Sequence, residues 1–242
     1  MFPLRDSIRS RHFPVMNWLL VGANALVFLF ELSLSPGGRE TFIQEFALVP
    51  TRLFDGDLQA WLTLLTSMFM HGGWFHFISN MWILFIFGDN VEDRMGSFPY
   101  LLFFLLSGTV AGLLQVFVYP TSLLPTLGAS GAIAGVLGAY IFLFPKARVV
   151  TFIPIFLFPW IVEIQAFIFL GFWFISQLYS GFAALSLPSG ADMGGVAWWA
   201  HIGGFVFGLL LGRFFLLRPP PPPPRRYYQV SDVYDLPPED YR

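Results

Sequence analysis

The sequence contains no cysteine. Disulfides, thiolate catalysis and zinc sites built on thiolates are therefore excluded, although the absence says nothing about which compartment the loops face. Charge is also scarce. Asp, Glu, Lys and Arg make up 12% of the chain, about half the ~25% of an average soluble domain. Leu58 to Gly88 contains none of the four, and neither does Met95 to Pro145. The net charge is only -2, so nothing points to nucleic acid as a partner. A His-Glu-x-x-His zinc motif is missing, and no internal repeat is evident.

What the chain does have is apolar. Hydrophobic residues reach 56%, with 30 phenylalanines. In runs of about 20 residues, this composition predicts an integral membrane protein. The first run, about Met16 to Leu34, follows a basic arm. It is too long for a signal-peptide core and lacks a small-residue cleavage site, so it reads as an uncleaved first helix. The second run is interrupted by His-Gly-Gly at 71–73. A membrane-embedded loop is expected before that break and a second helix after it, over about 74–90. The turn residues of YPTSLLPT, 119–126, divide the next run into helices at about 98–118 and 128–145. A fifth helix is expected at about 160–182 and a sixth at about 195–216. The fold class is thus an all-α membrane protein, a six-transmembrane-helix bundle with a membrane-embedded first outer loop.

Six helices put both termini on one side. With the N-terminus inside, eleven Lys and Arg residues fall inside, and only Arg39 and Arg52 fall outside. That distribution satisfies the positive-inside rule. Three segments follow: a basic cytoplasmic arm at 1–13, a helical domain at 14–217 and a proline-rich cytoplasmic tail at 218–242. The six consecutive prolines of the tail favour an extended rod. It reads as a disordered spacer or as a ligand for a proline-recognising groove.

Polar side chains at membrane depth are costly and default to functional hypotheses. Three clusters stand out. In HGGWFHFISNM, 71–81, His76 and Asn80 are four apart and share a helix face, with His71 in the break before them. They read either as partners for neighbouring helices or as two donors aimed at a developing oxyanion. A zinc site from His71, His76 and His201 is a third alternative, poorly served by the spacing of the first two. In TLGASGAIAGVLGAY, 126–140, Ser130 heads an apolar helix between Gly128 and Gly131. Small residues suit helix packing, and a serine at a helix N-terminus also suits nucleophilic attack. In WWAHIGGFVFGLLLG, 198–212, Ala200, Gly204, Gly208 and Gly212 fall four apart, with His201 beside them. Gly131, Gly135 and Ala139 make a matching stripe. If the stripes pack, the Ser130 hydroxyl and His201 imidazole come within reach, which is the pairing that activates a serine. No acid lies at membrane depth near His201. Asp192 and Glu163 read as solvated or interfacial, so a dyad is expected rather than a triad.

Taken together, HGGWFHFISN at 71–80, GDNVEDRMG at 88–96, GASGAIAG at 128–135 and AHIGGFVFG at 200–208 resemble the rhomboid intramembrane serine proteases of bacterial type. The resemblance covers about residues 14–217. It implies a six-helix rhomboid bundle whose site opens to the outer face, in a bacterial cytoplasmic membrane. That location also fits the short arm and the lack of a transit peptide. The implied activity is a serine-type endopeptidase cutting membrane-protein substrates in or near their transmembrane segments. Carried over by motif, Ser130 is the nucleophile and His201 the general base and acid. His76, Asn80 and the Ser130 backbone N–H form the oxyanion hole, and His71 helps hold the site's hydrogen bonds. Glu92 resembles the family's structural acid, although its charged neighbourhood alone reads as a solvated loop. No metal or organic cofactor is implied.

Two departures accompany the resemblance. Trp61 is followed by Leu62 where some members have Arg, and Ala134 stands where some have a tyrosine stacked on the histidine. Trp198, Trp199 and Phe205 are candidates to orient His201 instead. The loop LSLPSGADMGG, 185–195, is glycine-rich and suits a mobile lid near substrate entry. Two other classes compete. A non-catalytic rhomboid-like binder of transmembrane helices typically lacks the serine or the histidine, and both are present. A transporter calls for inverted repeats and a polar route, neither of which the sequence offers.

Overall fold

The computed structural model describes residues 1–56, 58–155, 158–186 and 195–219. It opens with strand β1 (Phe2–Asp6), followed by helices α1 (Val15–Ser33), α2 (Pro36–Phe46), α3 (Thr63–Thr66), α4 (Trp74–Met95), α5 (Ser97–Val118) and α6 (Ser130–Leu143). Strands β2 (Arg148–Ile155) and β3 (Phe158–Gln165) precede helices α7 (Ala166–Leu185) and α8 (Trp198–Leu211). Among the described residues α1, α5, α7 and Trp198–Phe215 are long and apolar enough to cross a membrane. The chain is a multi-pass integral membrane protein. α4 is equally long but carries Asp89, Glu92, Asp93 and Arg94 near its end. α6 is apolar but has only 14 residues.

The all-helical expectation is corrected by a three-stranded antiparallel sheet in the order β1-β2-β3. The first residues, read as an arm, pair with β2, placing Phe2 opposite Phe152 and Asp6 opposite Val149. In the β2–β3 hairpin Arg148 faces Gln165 and Ile153 faces Trp160. The helix expected from about 160 therefore begins at Ala166. Val149, Val150, Thr151 and Ile153 on β2, and Ile161, Val162 and Ile164 on β3, are β-branched and suit a pleated backbone. A short apolar run does not reveal by hydropathy alone whether it is a strand or a helix start. α2 was not foreseen either. Ser35 caps it, accepting from the Gly38 N–H at 3.2 Å, and Pro36 opens its first turn.

α6 packs most extensively on α8, and small residues set how closely. A Cβ added at Gly204 would overlap the Gly131 carbonyl oxygen, and one at Gly208 would overlap that of Gly135. The two stripes interlock backbone to backbone, with Ser107 and Ala111 of α5 against the Gly135 and Gly131 side. At about 1.5 Å per residue α6 spans roughly 21 Å, short of the ~30 Å hydrocarbon core. Lys146 lies just past its C-terminal end, and Ser130 stands at its start.

Glu92 is 2% exposed, which corrects its reading as a solvated loop charge. Its carboxylate accepts from the backbone N–H of Met16 at 3.0 Å and of Asn17 at 2.8 Å, and from Ser97 Oγ at 2.5 Å. It supplies the cap that α1 lacks locally. Glu163 lies on β3, not on a helix, and pairs with Arg148 at 3.2 Å on the exposed surface. Asp192, most of the expected lid loop and the tail beyond residue 219 lie outside the described residues.

Candidate active site

Ser130 is the first residue of α6, and His201 lies in the first turn of α8. Their side chains meet, with His201 Nε2 2.8 Å from Ser130 Oγ. The interlocked glycines are what make this pairing available, because bulkier residues would hold the two helix axes apart.

The loop before α6 is pinned from two sides. Leu48 and Thr126 exchange backbone hydrogen bonds of 2.9 and 2.8 Å, and the Gly128 N–H donates to the Ser67 carbonyl at 2.8 Å. Gly128 has φ 121°, a conformation that L side chains rarely adopt. A Cβ there would sit 2.6 Å from His76 Cε1 and Nε2, and 3.7 Å from Asn80 Nδ2. The imidazole and the amide of α4 therefore converge on the backbone two residues before Ser130. Asn80 Nδ2 is buried and has no hydrogen-bond partner among the described residues, leaving a free donor near Gly128. Next to Ser130 is a cavity of about 30 Å³, bounded by Ser67, Gly108, Ala111, Gly128 and Ala200.

His71 is held by its backbone. Its N–H donates to the buried Glu31 carboxylate at 3.2 and 3.3 Å, and its carbonyl accepts from Arg39 at 3.2 Å. Its ring nitrogens have no hydrogen-bond partner among the described residues. The ring lies edge-on to His76, with centroids 5.1 Å apart. Among the described residues no three His, Asp or Glu side chains gather as a metal centre would need.

Gln177 of α7 was missed in the sequence. Its Oε1 lies 2.8 Å from His201 Nδ1. Trp173, one turn earlier, places its ring 5.9 Å from the imidazole at 34°. Of the three aromatic residues expected to orient His201, Trp198 meets it edge-on at 6.3 Å. Trp199 instead packs on Phe182, and Phe205 on Phe174 and Trp173. The missed signal was legible in kind. Gln177 is the only side-chain amide in the apolar run of α7, and an amide at membrane depth asks for a partner.

These features define a polytopic membrane protein with a serine–histidine pair at the half-buried start of a short helix. A rhomboid-domain family model matches residues 58–218, and the chain belongs to the rhomboid family. It is 32% identical over 113 residues to rhomboid-like protein 11, chloroplastic, of Arabidopsis thaliana, covering 47% of this chain and 40% of that one. It is 33% identical over 130 residues to the rhomboid protease GluP of Bacillus subtilis, covering 53% and 24%. It is 29% identical over 142 residues to rhomboid protein 1, mitochondrial, of Saccharomyces cerevisiae, covering 56% and 38%. The chain thus matches less than half the length of each of these relatives.

Proposed function

We propose that the chain is an intramembrane serine endopeptidase that hydrolyses peptide bonds in or near the transmembrane segments of other membrane proteins. The observation that carries the reading is the 2.8 Å contact between Ser130 Oγ and His201 Nε2, with the free Asn80 donor near Gly128. Family membership and one relative named as a rhomboid protease support it. In this reading α1, α4, α5, α6, α7 and α8 are six spans, both termini are cytoplasmic, and the membrane is a bacterial cytoplasmic membrane. The site opens to the outer face, and the segment around α3 is the embedded loop.

The chemistry follows from the groups present. A substrate helix unwinds locally, aided by residues of low helix propensity, and exposes a carbonyl carbon to Ser130 Oγ. His201 Nε2 takes the hydroxyl proton as the Oγ–C bond forms. The oxyanion faces His76, Asn80 and the Ser130 N–H, a first-turn amide with no carbonyl of its own helix to meet. His201 returns the proton to the leaving amine as the C–N bond breaks. Water then hydrolyses the acyl-enzyme by the same route in reverse.

The test is reconstitution of the purified chain in liposomes with a single-pass reporter carrying glycine and serine in its span. The expected result is two fragments cut within or near the span, absent with Ser130→Ala. A reporter that is captured but left intact would favour a non-catalytic binder of transmembrane helices.

A further inference from the structure

We propose that Gln177 is a positioning residue that fixes His201 in the one tautomer able to take a proton from Ser130. The inference rests on the reading of Ser130 as nucleophile and adds a third member from α7.

The orientation of the amide follows from its surroundings. Gln177 is 5% exposed. Its Nε2 lies 3.3 Å from the Trp173 carbonyl oxygen and 3.0 Å from Ser176 Oγ. A backbone carbonyl can only accept, so the Gln177 atom facing it is the NH₂ group. The Ser176 hydroxyl donates its own proton to the same carbonyl at 2.6 Å, and its oxygen is left to accept. Both contacts turn Oε1 toward His201.

The consequence reaches the serine. An amide oxygen only accepts, so the His201 nitrogen 2.8 Å from it, Nδ1, carries the proton. In a neutral imidazole the other nitrogen, Nε2, is then the bare one. It lies 2.8 Å from Ser130 Oγ and receives the hydroxyl proton. A chain of one-way bonds runs from the α7 backbone through Gln177 and His201 to Ser130. The orienting partner is neutral, so no carboxylate has to be buried beside the imidazole. Trp173 flanks the same ring, and α7 supplies both contacts.

The test compares wild type with Gln177→Leu and Gln177→Glu, reading kcat and KM in liposomes and the His201 tautomer by nitrogen-15 NMR of histidine-labelled protein. In wild type the Nδ1–H tautomer is expected. In Gln177→Leu a mixture of tautomers appears, kcat falls on the order of 100-fold, the low end of what a positioned general base supplies, and KM is unchanged. Gln177→Glu keeps an acceptor of the same length toward Nδ1 but gives up the two donor contacts that hold the side chain, so it restores part of kcat. Wild-type tautomer and kcat in Gln177→Leu would overturn the proposal, as would a defect of equal size in both variants. An inactive wild type that nonetheless holds the Nδ1–H tautomer would instead count against the protease reading alone.

Discussion

His201 Nε2 and Ser130 Oγ stand 2.8 Å apart although 71 residues separate them in the chain. They are brought together by two glycines on each helix, since Gly204 and Gly208 rest on the carbonyls of Gly131 and Gly135. The geometry of the pair is therefore a property of the α6–α8 interface.

Adding a single methyl group to that interface should disturb stability and activity together. In Gly208→Ala the new Cβ overlaps the Gly135 carbonyl, and overpacking of this kind costs about 1–3 kcal/mol. Thermal unfolding in detergent should show the loss, and turnover should fall with it. Gly171→Ala is the control. Nothing lies within 4 Å of its added Cβ, so it should be neutral or slightly stabilising.

Asn80→Ala should slow the reaction without unfolding the protein. Its Nδ2 satisfies no structural partner, and one oxyanion donor is worth about 100- to 1000-fold in kcat. An Asn80→Ala enzyme with wild-type kcat would remove this residue from the site.

Glu92→Ala should destabilise without touching the chemistry. It removes the acceptor for two backbone amides of α1, and charge-assisted bonds contribute about 1.5–3 kcal/mol each. The expected signature is a lower melting temperature with near-normal turnover at low temperature.

The three-stranded sheet carries a pH dependence. Burial pushes the Asp6 carboxyl from 3.8 up to about 7, and Asp89 adds to the rise against a hydrogen bond from Tyr140. The folded chain therefore holds this proton where the unfolded chain has released it. The stabilisation is complete below the unfolded value near 3.8 and is lost as pH rises through about 7. Melting temperature should decline from about pH 4 to about pH 7 and level off above that. Asp6→Asn keeps an acceptor for Asn90 and Tyr140 and should flatten that decline. An unchanged slope would mean that Asp6 does not titrate in this range.

The sequence displayed some of this architecture and hid the rest for physical reasons. Ser130, His201, His76 and Asn80 were legible because polar residues in an apolar chain are few and their glycine neighbours share a four-residue spacing. The sheet was not, because Phe158–Gln165 is apolar enough to continue into the helix that follows it. Glu92 looked solvated among Asp89, Asp93 and Arg94, since its partners on α1 lie 75 and 76 residues away. Gln177 is hard to read from sequence because a neutral amide in an apolar helix carries no motif that ties it to a histidine 24 residues away.

The most direct measurement is covalent labelling of the detergent-solubilised protein with a fluorophosphonate, comparing wild type with Ser130→Ala and His201→Ala. Labelling that requires both residues is the predicted result, because only a serine activated by the imidazole attacks the phosphonate at a useful rate. Labelling that persists in Ser130→Ala would contradict the account, and so would a folded wild type that takes no label under conditions where another serine hydrolase does.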